Sequence, residues 1–238
     1  MKKIEFEQIK SSLCAKVGCL YEALRTIPGI DPEPLIRSKQ IINEAAYNVQ
    51  QEQIHYSVDS LKFTISSSNL KHLSTENGNP IDQVELYLSC NGILDANLYK
   101  DDDKNPWKEL SFKAELVILT MSGLYSKIFH VDQIFCNNKI YGEVHPFSHL
   151  HFMANESDTI DVPRLVHYPL DIVLGLSVAL QNYLPDTYAQ LKTNSQYIGL
   201  CYQSQKRLLK PYIEMYFNGI DSDGKANTNI IKACPYLL

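Results

Sequence analysis

Apolar residues over the first two dozen positions recur at helical intervals: Ile4, Phe6, Ile9, Leu13, Val17, Leu20 and Leu24. That spacing predicts an amphipathic helix ending before Pro28-Gly29. A second helix is predicted to open in DPEPLIRSKQ, where Asp31 can cap and Pro32 suits a first turn, and to carry Leu35, Ile36, Ile41, Ile42, Ala45 and Val49. Residues 1–52 are therefore expected to be helical.

The period then changes to two. Tyr56 and Val58, and then Leu61, Phe63 and Ile65, alternate with polar residues, and VELYLS at 84–89 repeats the pattern after the turn signal ENGNP. DANLYKDDDKNPW reads as an exposed acidic loop. Three more strands are expected at 110–120, 127–135 and 140–153, separated by Ser122-Gly123 and Asn137-Asn138. Together these predict an antiparallel sheet of about five strands over 53–153.

Residues 164–217 return to helix. A buried helix is expected from Pro169 to about Tyr183, because Leu170, Ile172, Val173, Leu174, Leu176, Val178, Ala179 and Leu180 leave almost no polar side. Pro185-Asp186 punctuates. A last helical stretch runs from Tyr197 to Phe217, kinked or split at Pro211. The tail, 218–238, is irregular. Helices, then consecutive strands, then helices define an α+β class, organised here as one domain over 1–238.

Composition narrows the function classes. With 45% hydrophobic and 21% charged residues in 238, the chain is ordinary globular material that needs no disulfide or metal staple. The net charge of −5 argues against bulk-charge binding of nucleic acid and leaves only a local basic patch for that role. Six dispersed cysteines without a C-x-x-C pair read as reduced, packed thiols. The N-terminus lacks an apolar signal core, and the longest apolar run, 170–180, falls short of the roughly 20 residues a bilayer demands. The expected setting is cytoplasmic, without membrane contact.

Four of seven histidines lie between His145 and His167, in HPFSHLHF and PRLVHYPL. On a strand, His149 and His151 share a face while Leu150 and Phe152 share the other. One reading makes them, with His145, His167 and Glu143, ligands for a divalent metal, zinc or manganese; no other cofactor is expected. The spacing matches no defined zinc motif, there being no H-E-x-x-H. The structural reading, imidazoles lining a half-buried face with tyrosine and carbonyl partners, carries more weight. Arg164 and His167 also precede the expected helix at Pro169, whose free N–H groups favour an anion, although Asp161 and Asp171 flank Arg164 and can pair with it instead. His149, His151, Arg164 and His167 are thus the candidate catalytic or anion-binding set.

Other signals are weaker. Two H-x-S triplets, at His55 and His72, are only seventeen residues apart and fit a two-histidine phosphoesterase poorly. Asp101, Asp103 and Asn105 begin like a calcium loop, but Pro106 stands where glycine is needed and Phe112 where glutamate is; Asp221, Asp223 and Gly224 fail likewise. No phosphate loop, dinucleotide fingerprint or nucleophile elbow occurs.

His149, His151, Phe152, Pro163, Arg164 and His167 resemble the C-terminal half of a family of uncharacterised bacterial proteins that carries an H-x-H-F strand, a Pro-Arg or Arg-x-x-His segment and an apolar helix. The resemblance covers about a quarter of the chain. It implies a bacterial or phage-related protein of the defence or toxin–antitoxin kind, and no reaction. The leading expectation is a non-enzymatic protein-interaction component, working with a protein partner or as a homo-oligomer, since fifteen tyrosines supply interface anchors. The alternative is a metal- or histidine-dependent phosphodiester hydrolase or nuclease, with Arg164 stabilising developing charge.

Overall fold

The computed structural model describes residues 1–48, 50, 52–65, 81–120, 123–134, 148–153 and 165–217. Strands β1 (Ile30–Asp31), β2 (Gln53–Ile65), β3 (Ile81–Asp95), β4 (Trp107–Thr120), β5 (Gly123–Ile134), β6 (Ser148–Met153) and β7 (Leu165–Val166) form one antiparallel meander in sequence order. The expected class is α+β, and the five long strands are the expected ones. The two-residue strands at either edge are additional, and β3 is longer than the 84–89 segment that alternation marked. Residues 140–147 of the last expected strand, the ENGNP turn and the 218–238 tail lie outside the described residues.

Alternation fixes the register. Leu86 stands opposite Leu116, Ala114 opposite Phe129 and Val131 opposite Leu150, and all six are buried on one face of the sheet. Slipping any strand by one residue would turn its apolar row outward. The pleat breaks once within β2. A bulge lies between Val58 and Leu61, with Ser60 at φ +56° and its N–H donating to Ser89 Oγ at 3.0 Å. The extra residue returns Leu61 to the inward face that Val58 occupies.

The helices pack on that inward face. Helix α1 (Lys3–Leu24) buries Phe6, Ile9, Leu13, Val17, Leu20 and Leu24, most of the predicted stripe, and leaves Ile4 exposed. Helix α2 (Glu33–Glu44) lies between α1 and β2. It ends well before residue 52, and the buried Lys10 of α1 donates to the carbonyls of Asn43 (2.7 Å) and Ala45 (2.8 Å) at its end. A cation supplied to the orphan carbonyls of a helix C-terminus satisfies them and opposes the local dipole.

Helix α4 (Ile172–Tyr183) crosses β3 and β4. It begins at Ile172 rather than Pro169, because Asp171 is its N-cap and Pro169 and Leu170 are buried in the approach. Gly175 allows the close fit: a Cβ there would stand 2.2 Å from the Phe112 ring. Pro185, expected only to punctuate, opens helix α5 (Pro185–Leu191), whose first turn needs no N–H from it. Helix α6 (Ser195–Ser204) runs through a π-helical turn, Gln205–Leu209, into α7 (Lys210–Phe217). Pro211 thus stands behind a widened turn, which absorbs the residue that cannot donate, instead of a sharp kink.

The acidic excursion after β3 is more ordered than expected. Ala96–Tyr99 form a short helix, α3, capped by Asp95, and Tyr99 is buried. Asp102 pairs with Arg207, and Asp103 with Lys210 (2.9 Å) and Lys206 (3.6 Å), so the loop is tied to the C-terminal helices.

Replacing Gly175 by alanine is expected to overpack this contact and lower unfolding stability by about 2 kcal/mol. Urea unfolding measures it, and a Gly175→Ala, Phe112→Leu double variant should recover part of the loss because the two sites share one space.

Candidate functional site: the outward sheet face

The face that no described helix covers is built from the alternate residues of the same strands. Its rows run across the sheet: Lys62, Tyr87, Glu115 and Ile128 occupy one, and Ser57, Asn91, Ser111 and Asp132 another. Polar pairs hold these rows. Glu85 receives hydrogen bonds from Lys62 and Tyr87, and these donors hold its carboxyl below the usual carboxylate range. Lys113 and Glu115 pair at 3.1 Å, and a shallow depression beside the Ser60 bulge is lined by Tyr87, Ser89, Lys113 and Glu115. At the β4–β5 end the chemistry changes: Leu119 and Leu124, directly opposite one another, are 41% and 67% exposed, while the next residue, Tyr125, stands opposite Ile118 and takes the other face.

The histidine segment joins this face by register. In β6, His149 stands opposite Asp132 and His151 opposite His130. Three histidines and one carboxylate therefore take neighbouring positions on two strands. His130 and Asp132 were absent from the candidate set, although Asp132 lies in the predicted strand 127–135; only the pairing of β5 with β6 identifies them. Ser111 Oγ lies 2.7 Å from His130 Nε2, and Asp132 Oδ1 lies 3.1 Å from the same nitrogen. A Ser–His–Asp relay uses the two ring nitrogens separately, one for the nucleophile and one for the orienting acid. Here one nitrogen serves both, so this group is not a nucleophile relay. Nitrogen and oxygen ligands about 3 Å apart do suit a common divalent ion with bonds of about 2.0–2.2 Å. Among the residues whose side chains are described, no three His, Cys, Asp or Glu converge on a metal geometry.

His167 does not join them. Its N–H donates to the Ser148 carbonyl, one step beyond the His149–Val166 pair, which aligns it with the opposite face. Its ring stacks on Tyr168 at 4.3 Å, and its Nδ1 lies 2.6 Å from the Tyr168 carbonyl. Burial pushes the imidazole below its ordinary value near 6.5. His145, Glu143, Asp161 and Arg164 lie outside the described residues.

The N-terminus of α4, the expected anion position, is held by the chain's own carboxylate. Asp171 Oδ1 accepts from the N–H groups of Val173 (3.1 Å) and Leu174 (2.9 Å), while its Oδ2 accepts from Ser204 Oγ at 2.6 Å. Burial raises its pKa against the pull of these bonds. Within the calcium-like loop, Asp101 and Asp103 face Lys104, Lys206 and Lys210, as a solvated loop should. His55 is exposed on β2; His72, Asp221 and Asp223 lie outside the described residues. Cys14, Cys19, Cys90 and Cys201 are free thiols, and burial pushes that of Cys90 well up. No described helix is long and apolar enough to cross a membrane.

No protein-family model, no curated protein and no solved structure matches the chain. The geometry of the sheet face is therefore the ground for any functional reading.

The depressed His167 predicts a pH dependence of definite sign. The folded state holds the ring neutral while the unfolded chain protonates it near 6.5, so its contribution is present above that pH and is lost as pH falls through the window below it. Urea unfolding from pH 7 to 5 should show a shallower decline in His167→Gln than in the parent protein.

Proposed function

We propose that this chain is a non-enzymatic protein-interaction component that engages its partner through the outward face of the sheet. The observation that carries this reading is the exposed Leu119–Leu124 pair at the end of a face that carries the Lys62–Glu85 and Lys113–Glu115 ion pairs. Apolar anchors bordered by polar rows are the anatomy of an interface core and its rim. The rows hold Glu85, Glu115 and Asp132 against Lys62 and Lys113 in a chain of net charge −5, so the partner that complements them is a protein surface with basic residues around an apolar knob. A partner of the defence or toxin–antitoxin kind belongs to the same proposal.

The test uses a partner identified by affinity capture and then reconstituted from purified components. The expected result is a stoichiometric complex whose Kd weakens at least tenfold in Leu124→Glu, with the urea midpoint unchanged. Equal binding by the variant overturns the reading, and concentration-dependent self-association lost in the same variant would assign the face to a second copy instead.

A second reading is a metal- or histidine-dependent phosphodiester hydrolase, favoured by the register that sets His130 and Asp132 opposite His151 and His149. In it these four groups hold zinc or manganese, which would supply an activated water. Elemental analysis is expected to find one metal per chain, lost together with nuclease activity in His149→Ala, His151→Ala and independently in His130→Ala. A metal-free, inert parent protein ends this reading.

A further inference from the structure

Where β3 ends and β4 begins, the sheet stops short of the helices and leaves a cavity of about 70 Å³ beneath α1, α4, α6 and the π turn. Its walls are largely apolar, with Leu13, Val17 and Leu94 among them, but two cations enter it: Lys16 from α1 and Arg207 from the π turn. Both approach the buried Tyr99 ring, the guanidinium carbon at 4.0 Å from its centroid and the Lys16 ammonium at 4.8 Å, as cation–π contacts do.

Arg207 is the informative residue. It is 8% exposed, its Nη2 donates to Asp102, and its Nη1 is buried without a hydrogen-bond partner. A buried guanidinium N–H left unsatisfied is costly, and native structures seldom keep one without an acceptor to meet it. The nearby carboxylate does not answer: Asp171 spends its oxygens on Val173, Leu174 and Ser204. Arg207 stands on the π turn, an insertion that recurs at binding sites because it redirects side chains a regular helix would send elsewhere.

We propose that this cavity is a binding site for a short-chain monocarboxylate, whose carboxylate is received by Arg207 Nη1 with Lys16 as the second cation, and whose one- or two-carbon tail lies against the apolar walls. The open donor selects the head group: Asp102 takes Arg207 Nη2 and Asp171 is spent on its own helix and Ser204, which leaves Arg207 Nη1 and the Lys16 ammonium to receive an anion. Volume selects the tail: the space, about 70 Å³, is roughly half of a 150 Å³ cavity that accepts the six carbons of benzene, so the ligand has to be smaller than that, about five heavy atoms at most. Apolar walls favour a carboxylate bearing a tail over inorganic phosphate. The site is distinct from the sheet face and stands or falls separately from the function proposed for it.

Calorimetry and ligand-observed NMR on the purified full chain, in a buffer free of other carboxylates and at low ionic strength, test it with propionate, acetate, propionamide and inorganic phosphate as probes. Saturable one-to-one binding of propionate or acetate is expected, at least tenfold tighter than that of the neutral amide or phosphate. Lys16→Met and Arg207→Gln should each weaken it at least tenfold. Circular dichroism verifies that the variants fold; should Arg207→Gln unfold, the amide comparison and Lys16→Met decide. Equal binding of acid and amide, undiminished binding in Lys16→Met, or no saturable binding of either acid overturns the proposal.

Discussion

The contact between Gly175 and the Phe112 ring sets the distance at which the rest of the molecule assembles. With no Cβ between them, α4 settles onto β3 and β4 closely enough that its first turn comes to the end of those strands. From there Asp171 reaches both its own helix and Ser204 of α6, so one approach in the first turn of α4 bears on how the C-terminal helices meet the sheet. The cavity that holds Arg207 is the space left where that fit ends and the sheet runs out. Packing of this density tolerates few rearrangements, which makes the sheet a rigid platform for whatever its outward face presents.

Much of the fold was legible because periodicity reports burial. The apolar stripe of α1, the alternating rows of the long strands and the nearly all-apolar α4 each bury a set of residues that pattern alone selects. Boundaries were less legible. Asp171 reads in the sequence as a salt-bridge partner of Arg164 and is the N-cap of α4 in the structure, and Pro185 reads as a break although it opens a helix. The phase break between Val58 and Leu61 was present in the sequence, but only the strand opposite converts it into a bulge. The π turn left no signal except Pro211, since an extra residue in a helix is indistinguishable from ordinary spacing.

The candidate site divides along the same line. That His149 and His151 share a strand face follows from a period of two. That their neighbours are Asp132 and His130 follows from the β5–β6 register, in which Val131 is buried against Leu150 on the other side of the sheet. The outward neighbours are thus a consequence of inward packing, and no local signal carries them. His167 was grouped with these histidines by proximity in sequence; one further step along the pleat gives it to the opposite face, beside Ser148 and Tyr168. Arg207 escaped notice because a lone arginine in a helix looks solvated until Tyr99 and Asp102 are seen to enclose it.

The bulge in β2 bears on how the molecule can assemble. Beyond its two-residue pairing with β1, no described strand pairs with this side of β2, and an edge of that length would ordinarily template a neighbouring chain, strand added to strand, into fibres. Ser60, turned to positive φ, interrupts the row of amides and carbonyls such growth would copy. Strand addition along that margin is discouraged by the backbone itself, with no contribution needed from a charged side chain.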